Sequence, residues 1–167
     1  MNHEKFGEEV MNHESKKVSE LSEIEKNTVE EVEGWAEERF KVISDPVHGW
    51  DHVQRVTKNA VTICRGEGGD EFLTRISALM HDLGRINESK GDHRYPHALL
   101  SIFEGSEKNR DLYQRGLLDL EQWRKISSAV AGHSKLLKAE DRTKLLDILQ
   151  DADRLDAFGF NGMFRNI

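Results

Sequence analysis

Apolar side chains recur every three or four residues along most of this chain, and short polar breaks separate the runs. Val32, Trp35, Ala36, Phe40 and Ile43 form the first stripe. It predicts a helix beginning near Thr28 and closed by Asp45-Pro46. Asp51 is the expected N-cap of a second helix, with His52, Val56, Ala60 and Ile63 on one face and a loop at Gly66-Glu67-Gly68-Gly69-Asp70. Phe72, Ile76, Leu79 and Leu83 carry a third helix into His81-Asp82, where Gly84 suits a left-handed end. A polar stretch from Asn87 to Arg94 follows. Pro96 then fits the first turn of a new helix with His97 directly behind it. Residues Glu107 to Gly116 read as a solvated helix-loop segment. Leu120, Trp123, Ile126, Val130 and His133 mark another stripe, and Leu145, Leu146, Ile148 and Leu149 lead into Asp151-Ala152-Asp153-Arg154-Leu155-Asp156. No stretch alternates as a strand does, so the fold class is all-α, a compact helical bundle.

The first 27 residues are polar and read as a flexible segment ahead of a helical domain over 28–167. Met-Asn-His-Glu occurs at Met1 and again at Met11, too short an echo for a structural repeat, and His3 and His13 are expected in solvent.

Composition narrows the class. A chain of 167 residues holds one domain with a real core, and 37% apolar against 33% charged residues fits a water-exposed helical protein. The formal charge of −7 argues against binding a nucleic-acid duplex, though a metal site can still draw a nucleotide to an acidic protein. No run is long and apolar enough for a membrane span. The single cysteine, Cys64, sits in a helical stripe and reads as a core residue in a cytoplasmic protein.

The candidate chemistry lies at the ends of the stripes. His52, His81-Asp82, His133 and the acids at 151, 153 and 156 fall on different predicted helices. Each has an ordinary explanation taken alone: His81 can cap helix carbonyls, and His52 can be a core histidine. The three acids lie among Ala152, Leu155 and Ala157, too apolar a setting for a wholly solvated face. Helices packed around one core bring such ends together, which is how bundles build metal sites. Ser77 and Ala78 are small enough to leave room beside the His-Asp pair.

In order, His52, His81-Asp82 and Asp153 resemble the His…His-Asp…Asp signature of the HD-domain metal-dependent phosphohydrolases. Asp51-His52-Val53-Gln54-Arg55-Val56, Leu79-Met80-His81-Asp82-Leu83-Gly84-Arg85 and Gln150-Asp151-Ala152-Asp153-Arg154-Leu155-Asp156-Ala157 carry the likeness, which runs from about Val47 onward and is nearest to a small single-domain branch. The resemblance implies a divalent ion (Mn, Fe, Co, Ni or Zn, with Mg a further option) on His52, His81, Asp82 and Asp153. Asp151 and Asp156 would support the ligands from behind. The segments around His97 and His133 are similar to those that add a second ion in some members. One tight site is expected, with His97 and His133 near the substrate or on a weaker second ion.

Asp82 is the first candidate to take up the proton of water, with Glu88 and Asp151 behind it. Arg55, Arg85, Lys90, Arg94 and Lys135 are candidate contacts to a small phosphorylated substrate, expected to be a nucleotide. Arg85 stands where relatives acting on alarmone-type pyrophosphates carry an acid, which points away from that substrate. Relatives of this branch usually continue past Arg165, so a C-terminal helical piece is either missing from this sequence or simply absent. A nucleotide-sensing module without turnover and a di-iron oxygenase fit the same residues.

Overall fold

A computed structural model describes residues 20–43, 47–135 and 139–159. The helices, in order, are α1 (Glu23–Phe40), α2 (Trp50–Glu67), α3 (Glu71–Met80), the short α4 (Arg85–Ser89), α5 (His97–Gln114), α6 (Leu120–Gly132) and α7 (Lys144–Phe158), with a 3-10 turn at Ala139–Asp141. No strand occurs among the described residues, and no helix there is long and apolar enough to cross a membrane.

Local chemistry sets the boundaries. Ser22 and Glu25 form a reciprocal capping box that starts α1 at Glu23, ahead of the expected Thr28. Asp70 accepts from the Leu73 amide at the head of α3, and Asp119 with Gln122 repeats the capping box on α6. The second helix differs from expectation: its N-cap is Gly49, and Asp51 lies exposed in the first turn. A left-handed glycine, Gly68 (φ 71°), ends α2, whereas Gly84 is right-handed at φ −64°. Residues 107–114 are not a solvated break but the second half of α5, with Asn109 and Leu112 buried. Asp45-Pro46, His3, His13, the repeated tetrapeptide and everything after Gly159 lie outside the described residues.

Helix α3 is the centre of the packing. Every residue from Phe72 to Met80 except Arg75 is buried, Thr74 and Ser77 among them, so the helix is surrounded on nearly all sides. One side meets Val29, Val32 and Phe40 of α1 with Leu112, Ile126 and Val130. Through Ala78 it meets Val56, Ala60 and Cys64 of α2 and Leu149 and Ala152 of α7. Burying a side chain such as Ile76 or Leu79 stabilises the fold by about 1.5–3 kcal/mol. The consequence for chemistry is positional. The C-terminus of α3 can only emerge into the middle of the bundle, and His81 and Asp82 emerge there with it.

Candidate metal centre

Four imidazoles and two carboxylates converge where α3 ends. His81 is the C-cap of α3 and His133 the C-cap of α6, while His52 and His97 open α2 and α5. Asp153 comes from α7, one turn before Asp156. His81 Nδ1 lies 2.7 Å from the Ala78 carbonyl, and His133 Nδ1 lies 2.7 Å from that of Val130. A carbonyl can only accept, so each Nδ1 carries a hydrogen, and in the neutral ring each Nε2 is left as a lone pair. His52 is set the same way, its Nδ1 lying 2.8 Å from Asp156 Oδ2.

The Nε2 atoms then face one another. His52 Nε2 and His81 Nε2 are 3.3 Å apart, and so are His97 Nε2 and His133 Nε2. Two lone pairs at that separation repel unless something positive lies between them. The spacing fits an ion: tetrahedral metal–nitrogen bonds of about 2.0–2.1 Å place neighbouring ligand atoms about 3.3–3.4 Å apart.

Asp82 lies between the two pairs. Its Oδ2 is 3.5 Å from His52 Nε2 and 3.8 Å from His81 Nε2. Its Oδ1 is 3.5 Å from His97 Nε2 and 3.6 Å from His133 Nε2. That Oδ1 is buried without a hydrogen-bond partner, which is costly for a carboxylate unless a cation meets it. Asp153 Oδ1, on the half-buried side, is 3.4 Å from His52 Nε2. The candidate donors therefore form two clusters, His52–His81–Asp153 and Asp82–His97–His133, and Asp82 Oδ2 also lies beside the first, next to the His52, His81 and Asp153 with which it was expected to share one ion.

Electrostatics agree with ligand chemistry. Complete burial holds His81 down at about 4, so it is neutral near pH 7. Burial pushes Asp82 up, but the surrounding histidines outweigh it and hold the carboxyl well below its usual range. His52 and His133 are lowered by burial yet raised on balance by Asp82, helped by Asp156 at His52. His97 is lowered, first by burial, then by the charge of Arg85 and by His133.

Other candidates from sequence fare unevenly. Glu88 and Arg85 sit at the rim: Arg85 Nη1 donates to Glu88 at 2.8 Å, its Nε is 3.6 Å from Asp82 Oδ1, and Glu88 Oε1 is 3.9 Å from His97 Nδ1. Arg55 is turned toward Asp156, not toward the open side, donating to both carboxylate oxygens. Asp151 is not brought to the cluster; it is exposed and paired with Arg154 at 3.2 Å, because its place on α7 faces water. Lys90, Arg94 and Lys135 are also exposed, and Arg94 is occupied by Asp92. These placements share a cause: nearness in sequence does not set the direction of a long side chain.

Two supporting residues escape the sequence reading. Ser101 accepts from the Gly84 amide at 2.8 Å and donates to the His97 carbonyl, fastening the start of α5 to the His-Asp corner. Buried Gln150 donates to the Gly132 and Lys135 carbonyls, holding the segment around His133 against α7. A lone glutamine in the stripe of Leu146, Leu149 and Asp153 was the available signal. A cavity of about 840 Å³ shares none of these residues; Leu21, Lys26, Val29, Arg65 and Arg75 are among those that line it.

A helical bundle that gathers imidazoles and carboxylates onto shared points is the architecture of a metal-dependent helical enzyme. The HD-domain family model matches residues 49–157, and the chain belongs to that family. It is similar to a protein from an uncultured Thermotogales bacterium described as a predicted HD superfamily hydrolase, with 31% identity, 82% of this chain and 72% of that one covered, and a TM-score of 0.66. It is also similar to Bacillus subtilis YpgQ crystallised in complex with ADP (27% identity, 85% and 64% covered, TM-score 0.63). A third likeness is to the Lin1889 protein of Listeria innocua (26%, 84% and 62%, TM-score 0.59). The chain thus spans 72%, 64% and 62% of these solved chains. No curated protein matches. Family membership and these neighbours support a metal-dependent hydrolase, and the donor sets are compatible with a divalent metal site.

Proposed function

We propose that the chain is a divalent-metal-dependent phosphohydrolase acting on a nucleotide, with one ion on each side of Asp82. The observation that carries this reading is the orientation of that carboxylate, one oxygen toward His52 and His81 and the other, buried and unpartnered, toward His97 and His133. His52, His81 and Asp153 would hold one ion and His97 and His133 the other, with Asp82 between them. Ions held by these residues would supply a lowered pKa for bound water and charge to screen phosphoryl oxygens. The complex of YpgQ with ADP supports a nucleotide as the substrate class.

This chain's own groups do the rest. Arg85, at the rim beside Asp82 and engaged with Glu88, would donate to a phosphoryl oxygen. Gly49 and Pro96 give α2 and α5 no side-chain cap, so amides at both helix starts remain for an anion. Asp82, held ionised by its neighbours, is a good ligand and a poor base, so proton uptake falls to Glu88 at the rim.

Elemental analysis of purified protein, followed by phosphomonoester, pyrophosphate and phosphodiester panels with Mn, Co, Ni and Mg, tests the proposal. Bound metal with release of phosphate or pyrophosphate from a nucleotide is the expected result, and His81→Ala or Asp82→Ala should abolish both. Normal turnover by either variant would refute the mechanism. Metal and nucleotide binding without release would favour the sensing module, and retained iron with oxygen consumption the oxygenase.

A further inference from the structure

The sequence offers Arg55 as a phosphate contact, yet its guanidinium is engaged inside the bundle. Nε donates to Asp156 Oδ1 at 2.6 Å and Nη2 to Oδ2 at 3.2 Å, and that same Oδ2 accepts from His52 Nδ1 at 2.8 Å. Asp156 is buried while Arg55 is about a third exposed.

The arrangement has a register. On α2, Arg55 stands one turn after His52; on α7, Asp156 stands one turn after Asp153. His52 meets Asp153 at 3.4 Å through Nε2 and Asp156 at 2.8 Å through Nδ1. The four residues make a square across the α2–α7 contact. Metal-type donors occupy one end and a bidentate ion pair the other. Any slide of one helix along the other would break the short Arg55–Asp156 contacts and move Asp153 from His52 together.

Resting on the metal-centre reading above, we infer that Arg55 and Asp156 are positioning residues that fix the ring of His52 and the register of α7, thereby placing Asp153. Asp156 fixes the imidazole with Nδ1–H toward itself and the Nε2 lone pair toward the site. Arg55 holds Asp156 in place through a planar fork that lysine cannot reproduce.

The test is Co²⁺ titration of the full chain, against a chromophoric chelator and by the visible Co²⁺ spectrum, for wild type, R55Q, R55K, D156N and R55Q/D156N. Circular dichroism checks the fold of each. The expected result is about a 10–100-fold loss of Co²⁺ affinity in R55Q and D156N with an altered band, and a partial loss in R55K. The double variant should be no worse than D156N alone, because the two residues act through one contact. At saturating metal, KM for a hydrolysed nucleotide should stay near wild type.

A folded D156N or R55K with wild-type Co²⁺ affinity and spectrum would overturn the inference, as would additive losses in the double variant. Unchanged Co²⁺ binding with a raised KM in R55Q would make Arg55 the phosphate contact instead. A wild-type protein that binds no Co²⁺ fails earlier, and refutes the metal reading itself.

Discussion

Gly84→Ala is the most discriminating single change. Gly84 has right-handed torsions, so alanine meets no backbone penalty and by propensity alone should stabilise the chain by about 0.4–1 kcal/mol. Space is the obstacle. A Cβ there would lie 2.0 Å from the His97 carbonyl oxygen and 2.7 Å from Leu100 Cβ, and the nearest atom is backbone. Reaching the roughly 3.0 Å that real Cβ contacts respect requires the first turn of α5 to retreat by about 1 Å. That retreat strains the Gly84–Ser101–His97 fastening and draws His97 from Asp82. Overpacking of this kind costs about 1–3 kcal/mol, and a 1 Å displacement of a positioned group costs about 100-fold in rate. Thermal unfolding with kcat and metal stoichiometry forms the assay. The expected result is a lowered Tm, kcat down by about two orders of magnitude and weakened binding of one ion with the other kept. Gly34→Ala is the control: it lies on the exposed face of α1 with nothing within 4 Å of the new Cβ, and should raise stability by about 0.5–1 kcal/mol. If Gly84→Ala behaves like Gly34→Ala, the close approach does not place His97 and the reasoning fails.

Three further outcomes follow. Asp151→Asn should leave kcat within about twofold, since Asp151 is exposed and bound to Arg154; a hundredfold loss would restore it as a base. Metal affinity should climb as pH rises through the range where His52 and His133, both raised above their ordinary value, give up protons, while His81 at about 4 releases none there. Calorimetry in buffers of different ionisation enthalpy would register that release, and affinity flat from about pH 6 to 8 would contradict it. Glu31, held at about 2 by Arg115 and Lys108, contributes stability above its ordinary 4.5 that disappears as pH falls toward 2. Because its side chain is 34% exposed the effect stays within about 1 kcal/mol, and the Tm gap between wild type and Glu31→Gln should close in acid; a gap that persists at pH 2 would exclude the ion pair as its source.

How far the sequence reaches depends on how local each cause is. The stripes of α2, α3, α6 and α7 were legible because apolar side chains at helical spacing need a common interior, and the histidines at their ends were legible for the same reason. The second half of α5 was not, because its inward positions include Asn109, which periodicity reads as surface. The start of α1 was written in Ser22 and Glu25, a local signal masked by the acidic composition around it. Gly84 shows the opposite case. A glycine after a helix suggests a left-handed cap, but what demands it here is the backbone of His97, a dozen residues away in sequence and adjacent only after folding. Arg55 had the same fate, since its partner lies on the last described helix.

The capping and ligand readings of His81 turn out to be one arrangement. A helix that ends inside a protein leaves carbonyls without donors, and His81 and His133 meet that need at Ala78 and Val130 with Nδ1. Spending Nδ1 on the cap fixes the tautomer, so Nε2 is presented as a lone pair at no further conformational cost. The ends that supply these donors carry the negative pole of the helix dipole, which favours a cation, while α2 and α5 bring their positive starts to the same centre, which favours an anion. On the proposed reading, helix polarity favours a cation at the ends of α3 and α6 and a phosphate beyond the starts of α2 and α5, which also carry the donors His52 and His97. That sorting precedes any contribution from Arg85. A variant at Arg85 should accordingly weaken the substrate before it weakens the metal.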